Sequence, residues 1–200
     1  MSSVHLTPAQ APVRHPLASP RLRSPWLIAP TLLGAVAVAV IQGSLVYAVL
    51  CGLLVLLLVP CTVVDLERRI IPNLITGPGA AAAIVLGTIL NPAGEPHRLL
   101  WAAVAGGFLL ITALIYPAGM GMGDVKLLAL MGLCLGSLAV PALFAALIGQ
   151  VAAAAVLAAR HGVRAARRTT LPFGPYLAAG GVLMVIAGSG LLHSSLHLLH

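Results

Sequence analysis

Charged side chains are scarce in this chain, and acidic ones are the scarcest of all. Only 8% of its 200 residues are charged, and just 4 of these are acidic. Because a water-soluble domain has about a quarter of its residues charged, this composition excludes an ordinary soluble fold. With 60% hydrophobic residues and a mean hydropathy of +1.07, the chain is predicted to cross a membrane several times.

Cysteine is also rare, and its spacing excludes two kinds of stabilising centre. Cys51, Cys61 and Cys134 lie in apolar runs and form no CxxC pair. The pattern argues against a disulfide framework and against a structural zinc site. It predicts instead that all three are buried packing residues, since free cysteine behaves as a small hydrophobe.

The basic residues fall in short clusters between apolar runs. A net charge of +7 could indicate a nucleic-acid partner, but this clustering is typical of membrane topology. We therefore expect contact with membrane lipid and none with nucleic acid. Residues 1–25 are rich in proline and arginine and lack the apolar stretch of a cleavable signal. We expect them to form a flexible cytoplasmic tail.

Long uncharged runs predict an all-α, polytopic membrane bundle of about seven spans, with six as the alternative. The polar or glycine-rich breaks include Gln42-Gly43-Ser44 and Gly136-Ser137, the latter followed by Pro141. Ala102, Ala103, Gly106 and Gly107 should give the fourth span a face for close helix packing. The predicted spans are two within residues 26–64, then about 74–90 and 99–116, a short and a normal span within 127–159, and about 176–192.

The predicted membrane domain therefore covers residues 26–192, and residues 193–200 form a short extracytoplasmic tail. His193, His197 and His200 could share a helix face in this tail, but no acidic or cysteine ligand accompanies them. We expect a terminal helix here, and neither a metal nor a cofactor in the protein.

The positions of arginine predict the orientation of the bundle. Arg98 alone occupies one side, so the positive-inside rule places the N-terminus and the opposite side in the cytoplasm. The arginines on that cytoplasmic side are Arg14, Arg21, Arg23, Arg68, Arg69, Arg160, Arg164, Arg167 and Arg168.

Two aspartates are the best indication of function. Asp65 and Asp124 are the only ones in the chain, and each lies where an apolar run meets a polar turn on the predicted cytoplasmic side. An ionisable group in a membrane segment is costly, so its default interpretation is functional. Two neighbouring carboxyl groups cannot both ionise easily and would share a proton. One could then activate water while the other protonates a scissile carbonyl.

Structural roles remain open for both aspartates. Asp124 begins a helix after glycine, where an acid stabilises the helix N-terminus regardless of chemistry. Asp65 ends its span, and an acid at a helix C-terminus opposes the dipole. Arg68 and Arg69 could offset that cost in an ion pair.

Three segments resemble the GxGD aspartyl peptidases of the bacterial prepilin peptidase family, which remove leader peptides from type IV pilins and pseudopilins. Asp65 followed by Ile71-Pro72-Asn73 resembles the first aspartate motif. Gly121-Met122-Gly123-Asp124 continuing to Leu128 resembles the second, and Leu171 to Tyr176 resembles the proline-glycine motif before the last span.

The resemblance implies an integral membrane endopeptidase of the inner membrane that cuts prepilin precursors at the cytoplasmic face with Asp65 and Asp124. Nothing resembles the zinc-binding insertion associated with methylation, so cleavage without methylation is expected, most like the short Flp-type (Tad) pilus enzymes. Lys126 is expected to anchor its span at the headgroups, with substrate contact as the alternative. The other residues expected to shape the site are Gly121, Gly123, Pro72, Pro172, Phe173, Gly174 and Pro175.

Two competing interpretations have weaker support. Pro141-Ala142-Leu143 spells the PAL tripeptide that accompanies GxGD in presenilin and signal peptide peptidase, and we regard this match as chance. An ion- or proton-coupled transporter could also use paired carboxylates. It predicts aspartates near the membrane midplane and a repeat between the two halves, and the sequence has neither feature.

Overall fold

The computed structural model describes residues 34, 44–116, 121–162 and 172–197, with side chains as far as residue 188. The predicted N-terminal tail and first span lie almost wholly outside these residues. The all-α prediction is confirmed. The helices are α1 (Leu45–Arg68), α2 (Asn73–Leu90), α3 (Glu95–Ile115), α4 (Met122–Leu135), α5 (Ala139–His161) and α6 (Gly174–His197).

Glycine, proline and one left-handed residue end the helices. Arg69 adopts the left-handed conformation (φ 53°) after α1, and its N–H bonds the carbonyl of Asp65 at 2.8 Å. Pro72 then begins α2 as its N-terminal cap in an extended conformation. The chain therefore reverses within a few residues, so Asp65 lies beside the start of α2.

The predicted division of residues 127–159 lies where the sequence places it. Gly136 has φ 59° and begins a 3₁₀ turn, Gly136–Leu138, between α4 and α5. Helix α4 is short, with 14 residues, and α5 has 23. Among the described residues, four helical stretches are long and apolar enough to cross a membrane, with α4 and α5 counted as one. The total of about seven spans stays a prediction.

Helix α3 begins earlier than the predicted Leu99 because it includes a buried ion pair. The Arg98 guanidinium binds Glu95 Oε2 through Nη2 at 2.6 Å and through Nε at 3.1 Å. Arg98 Nη2 also donates to the carbonyls of Gly87 and Asn91, both at 2.8 Å. The opposite charges of Arg98 and Glu95 neutralise each other, so both residues can lie buried inside a helix instead of in a polar loop.

Small residues bring α3 and α4 close together. Only part of the small-residue face predicted for the fourth span takes part in this contact. A Cβ on Gly132 of α4 would lie 2.6 Å from the Cα of Ala102, and one on Gly106 would lie 2.8 Å from the Cβ of Ala129. Gly107 has no such neighbour within 4 Å, and Ala103 is exposed. Thus one half of the predicted small-residue face packs against α4.

The helices give the bundle two distinct ends. We call the end with the last turn of α1 and the first turns of α2, α4 and α6 the site end. The far end contains the start of α1, the end of α2, the start of α3 and the α4–α5 turn. Helix α6 continues to His197, beyond the predicted end of its span at Leu192. The side chains of the C-terminal histidines lie outside the described residues.

Candidate active site

Asp65 is buried in the last turn of α1, with 6% of its surface exposed. Its Oδ2 accepts a hydrogen bond from the backbone N–H of Gly174 at 3.0 Å, across 109 positions of sequence. Gly174 is the first residue of α6, so the carboxylate lies at the positive end of that helix. The Asp65 carboxylate is thus destabilised by the dipole of its own helix, α1, but stabilised by the dipole of α6.

Asp124 lies at the third position of α4, after the N-terminal cap Gly121. Its carboxyl group interacts with the backbone of Gly121, as an acid in this position does in a capping box. The helix-capping interpretation therefore describes the local geometry of Asp124. Asp65 likewise accepts a backbone hydrogen bond at the N-terminus of a helix, in this case α6. The sequence did not indicate that contact.

The two aspartates are brought together by the turns that carry them. The side chain of Ile71 packs on Gly123, where a Cβ would lie 2.7 Å from Ile71 Cβ. The Asp65 and Asp124 carboxyl groups lie within range of each other's electrostatic field. Arg69 also contributes to the electrostatic field at Asp65. A compact pair of carboxyl groups is the arrangement that acid–base catalysis requires.

Glycine at position 174 is needed for the contact between the start of α6 and the Asp65 carboxylate. A Cβ there would lie 2.6 Å from Asp65 Oδ2 and 3.0 Å from its Cγ. The carbonyl of Phe173 accepts the N–H groups of Tyr176 and Leu177 at 3.1 and 3.0 Å, which fixes the first turn of α6. The proline-glycine segment is therefore a direct neighbour of Asp65.

Lys126 makes a contact that the sequence did not predict. Its Nζ donates to Asn73 Oδ1 at 2.8 Å and so joins the start of α4 to the start of α2. The sequence placed Asn73 in a motif but gave no signal of this bond, because 53 positions separate the two residues.

The remaining predicted site residues differ in their placement. Pro72 is buried beside Ile71, Gly121 is exposed, and Pro172 and Pro175 are partly buried. Gly119, Met120 and Leu171 lie outside the described residues. Pro141-Ala142-Leu143 begins α5 at the far end, away from both aspartates. Its position agrees with a chance match to the PAL tripeptide.

The cysteines lie where the sequence predicts. Cys51, Cys61 and Cys134 are all buried and free. In the part of the chain that the structure describes, no cluster of three or more His, Cys, Asp or Glu side chains could hold a metal ion.

Comparison with known proteins identifies the family. The sequence pattern of the type IV leader peptidase family matches residues 52–159. The chain belongs to this family. The matched region includes Asp65 and Asp124 and ends before the Gly174 segment.

One curated relative in the family is a prepilin leader peptidase/N-methyltransferase of Bacillus subtilis (strain 168). It is 37% identical over 140 residues, which cover 68% of this chain and 54% of the relative. The chain thus spans about half the length of this relative. No solved structure matches the chain.

Proposed function

We propose that this protein is an aspartic endopeptidase that removes the basic leader from prepilin-like precursors. Asp65 and Asp124 would be its acid–base pair. The observation that supports this most strongly is that the turns carrying the two aspartates, from distant parts of the chain, pack together at one end of the bundle. Family membership supports the class of substrate.

The reaction requires one ionised and one protonated carboxyl group. The ionised group takes a proton from water as its oxygen bonds to the scissile carbonyl carbon, while the protonated group donates to the carbonyl oxygen. The intermediate then collapses and the C–N bond breaks: the leaving amine takes the proton that the first carboxyl group removed from water, and a hydroxyl of the intermediate returns a proton to the second. The Gly174 N–H would hold Asp65 in place during both steps.

The charge distribution supports a cytoplasmic site in the inner membrane. Arg68, Arg69 and Arg160 all lie at helix ends on the site end. Arg98, the residue that the sequence places on the opposite side, is neutralised by Glu95. The excess of arginine at the site end therefore favours a cytoplasmic site end by the positive-inside rule.

The substrate would combine a basic leader with an apolar helix that enters the membrane. Its scissile peptide must be unwound, because a helix uses its carbonyls in its own hydrogen bonds. An Flp-type pilin and cleavage without methylation remain predictions about this chain, whose relative carries a name that includes N-methyltransferase.

The positions of the aspartates favour a peptidase over a transporter. Asp65 is in the last turn of α1 and Asp124 in the first turn of α4. A coupling ion in a transporter is bound near the membrane midplane, whereas a leader peptide is accessible at a helix end.

The test is co-expression of a prepilin with Asp65→Asn or Asp124→Asn. The amide oxygen of asparagine can accept the same backbone hydrogen bonds, so these variants keep the local contacts and remove the acid–base chemistry. We expect each to insert in the membrane and to leave the precursor uncut on gels. Glu67→Gln, which changes an exposed acid in the same turn as Asp65, is the matched control and should cut normally. Efficient processing by either aspartate variant would refute the proposal.

A further inference from the structure

The turn after α1 packs directly against the start of α4. Ile71 in this turn is 7% exposed, and an added Cβ on Gly123 would lie 2.7 Å from its Cβ and 3.4 Å from its backbone nitrogen. Because glycine has no Cβ, the two segments can meet this closely. Gly123 directly precedes Asp124 and the turn follows Asp65, so this contact limits how near the segments that carry the two aspartates can come.

A hydrogen bond joins the start of α2 to the start of α4 just beyond Asp124. Lys126 Nζ donates to Asn73 Oδ1 at 2.8 Å. Lys126 is two residues after Asp124, which is about 200° round an α-helix, so the bond attaches α4 on the face away from the Asp124 side chain. It therefore limits how far α4 can move from α2 and leaves the carboxyl group free to react.

The two partners of this hydrogen bond are both exposed. Such a bond adds little to stability, because water can replace either partner. A lysine that served only as a membrane anchor would extend to the headgroups and keep its side-chain freedom. Lys126 is held instead by the side chain of Asn73 on another helix. We therefore expect the bond to affect the position of Asp124 and not the stability of the fold.

We propose that Lys126 and Asn73 are positioning residues for the aspartate pair. Their bond acts with the packing of Ile71 to fix the position of Asp124 relative to Asp65. The packing limits how closely the two segments approach, and the hydrogen bond keeps them from separating. The inference rests on the proposed function, since a displacement of about 1 Å at a catalytic group costs about 10²-fold in rate.

Steady-state cleavage of a prepilin by Lys126→Met, Asn73→Ala and the double variant separates this role from its alternatives. We expect each single change to lower kcat by at least about fivefold, the equivalent of one hydrogen bond, with KM unchanged. The double change should lower kcat no further, because either single change already breaks the bond. A lysine that binds substrate would raise KM in Lys126→Met alone, and a headgroup anchor would leave Asn73→Ala at the wild-type rate. Either of these results would overturn the inference.

Conservative variants test the bond itself. Lys126→Arg keeps a donor and Asn73→Asp keeps an acceptor, so each should cut faster than the variant that truncates the same residue. His97→Ala is the matched control and should cut normally, since it removes an exposed side-chain hydrogen bond of 2.8 Å at the far end. A wild-type kcat in both Lys126→Met and Asn73→Ala would refute the positioning role but leave the peptidase intact. If the wild type cuts no prepilin, the proposed function fails and the inference fails with it.

Discussion

The two ends of the bundle both contain ionisable side chains, but they arrange them in opposite ways. At the far end, Glu95 and Arg98 are three residues apart on one helix and neutralise each other. At the site end, Asp65 and Asp124 come from different helices, are both acids and lie within each other's electrostatic field. Their stabilisation comes from the starts of α6 and α4 and, for Asp65, from the field of Arg69.

Under the proposed function, this difference separates a structural use of charge from a catalytic one. A self-compensated pair needs no further partner and gains nothing from access to solvent or substrate. Two carboxyl groups held together resist full ionisation, and that property makes them useful as an acid and a base. The comparison predicts that changes at the far end affect stability, while changes at the site end affect cleavage.

The largest expected effect is on stability, from Arg98→Met. The change leaves Glu95 buried without its partner, which should lower the free energy of unfolding by about 3–5 kcal/mol. The double change Arg98→Met with Glu95→Met should recover most of that loss. Unfolding in detergent measures both variants. Arg160→Met, which removes an exposed arginine, is the control, and a similar loss there would erase the distinction between the ends.

The next effect is on cleavage, from Gly174→Ala. The added methyl group would lie 2.6 Å from Asp65 Oδ2, so the carboxylate must move. A displacement of about 1 Å at a catalytic group costs about 10²-fold in rate. Gly107→Ala, where the methyl group meets nothing within 4 Å, should cut at the wild-type rate. Steady-state cleavage of a prepilin by the purified variants gives the comparison, and a normal rate for Gly174→Ala would mean that the Asp65 contact is dispensable.

The smallest effect is expected from Pro141→Ala at the far end. The proline lies in the first turn of α5, where it is tolerated but not required. We expect cleavage within about twofold of wild type, as for a change remote from the site. A large loss of cleavage in the same assay would show that the PAL tripeptide has a role after all.

The sequence predicts the helices better than it predicts their contacts. The break at Gly136-Ser137 and the polar turn after Asp65 follow from local chemistry, and both lie where expected. Helix α3 begins at Glu95, before the span expected from about Leu99, and this longer helix includes Arg98. The signal was present in Glu95, three residues earlier, the spacing at which opposite charges meet on a helix.

Contacts between distant segments carry no comparable local signal. The bond from Gly174 to Asp65 spans 109 positions, and the bond from Lys126 to Asn73 spans 53. The motif resemblance placed these residues in one site, but not in contact.

The central claim is that Asp65 and Asp124 act as one catalytic unit. The most direct test is the cleavage rate of a purified prepilin by Asp65→Asn, Asp124→Asn and the double variant in detergent. Groups that act as a unit are strongly non-additive. We predict that each single change lowers the rate by at least about 10³-fold and that the double change lowers it no further. A single variant that keeps its rate within about tenfold of wild type, or losses that multiply in the double variant, would contradict the account.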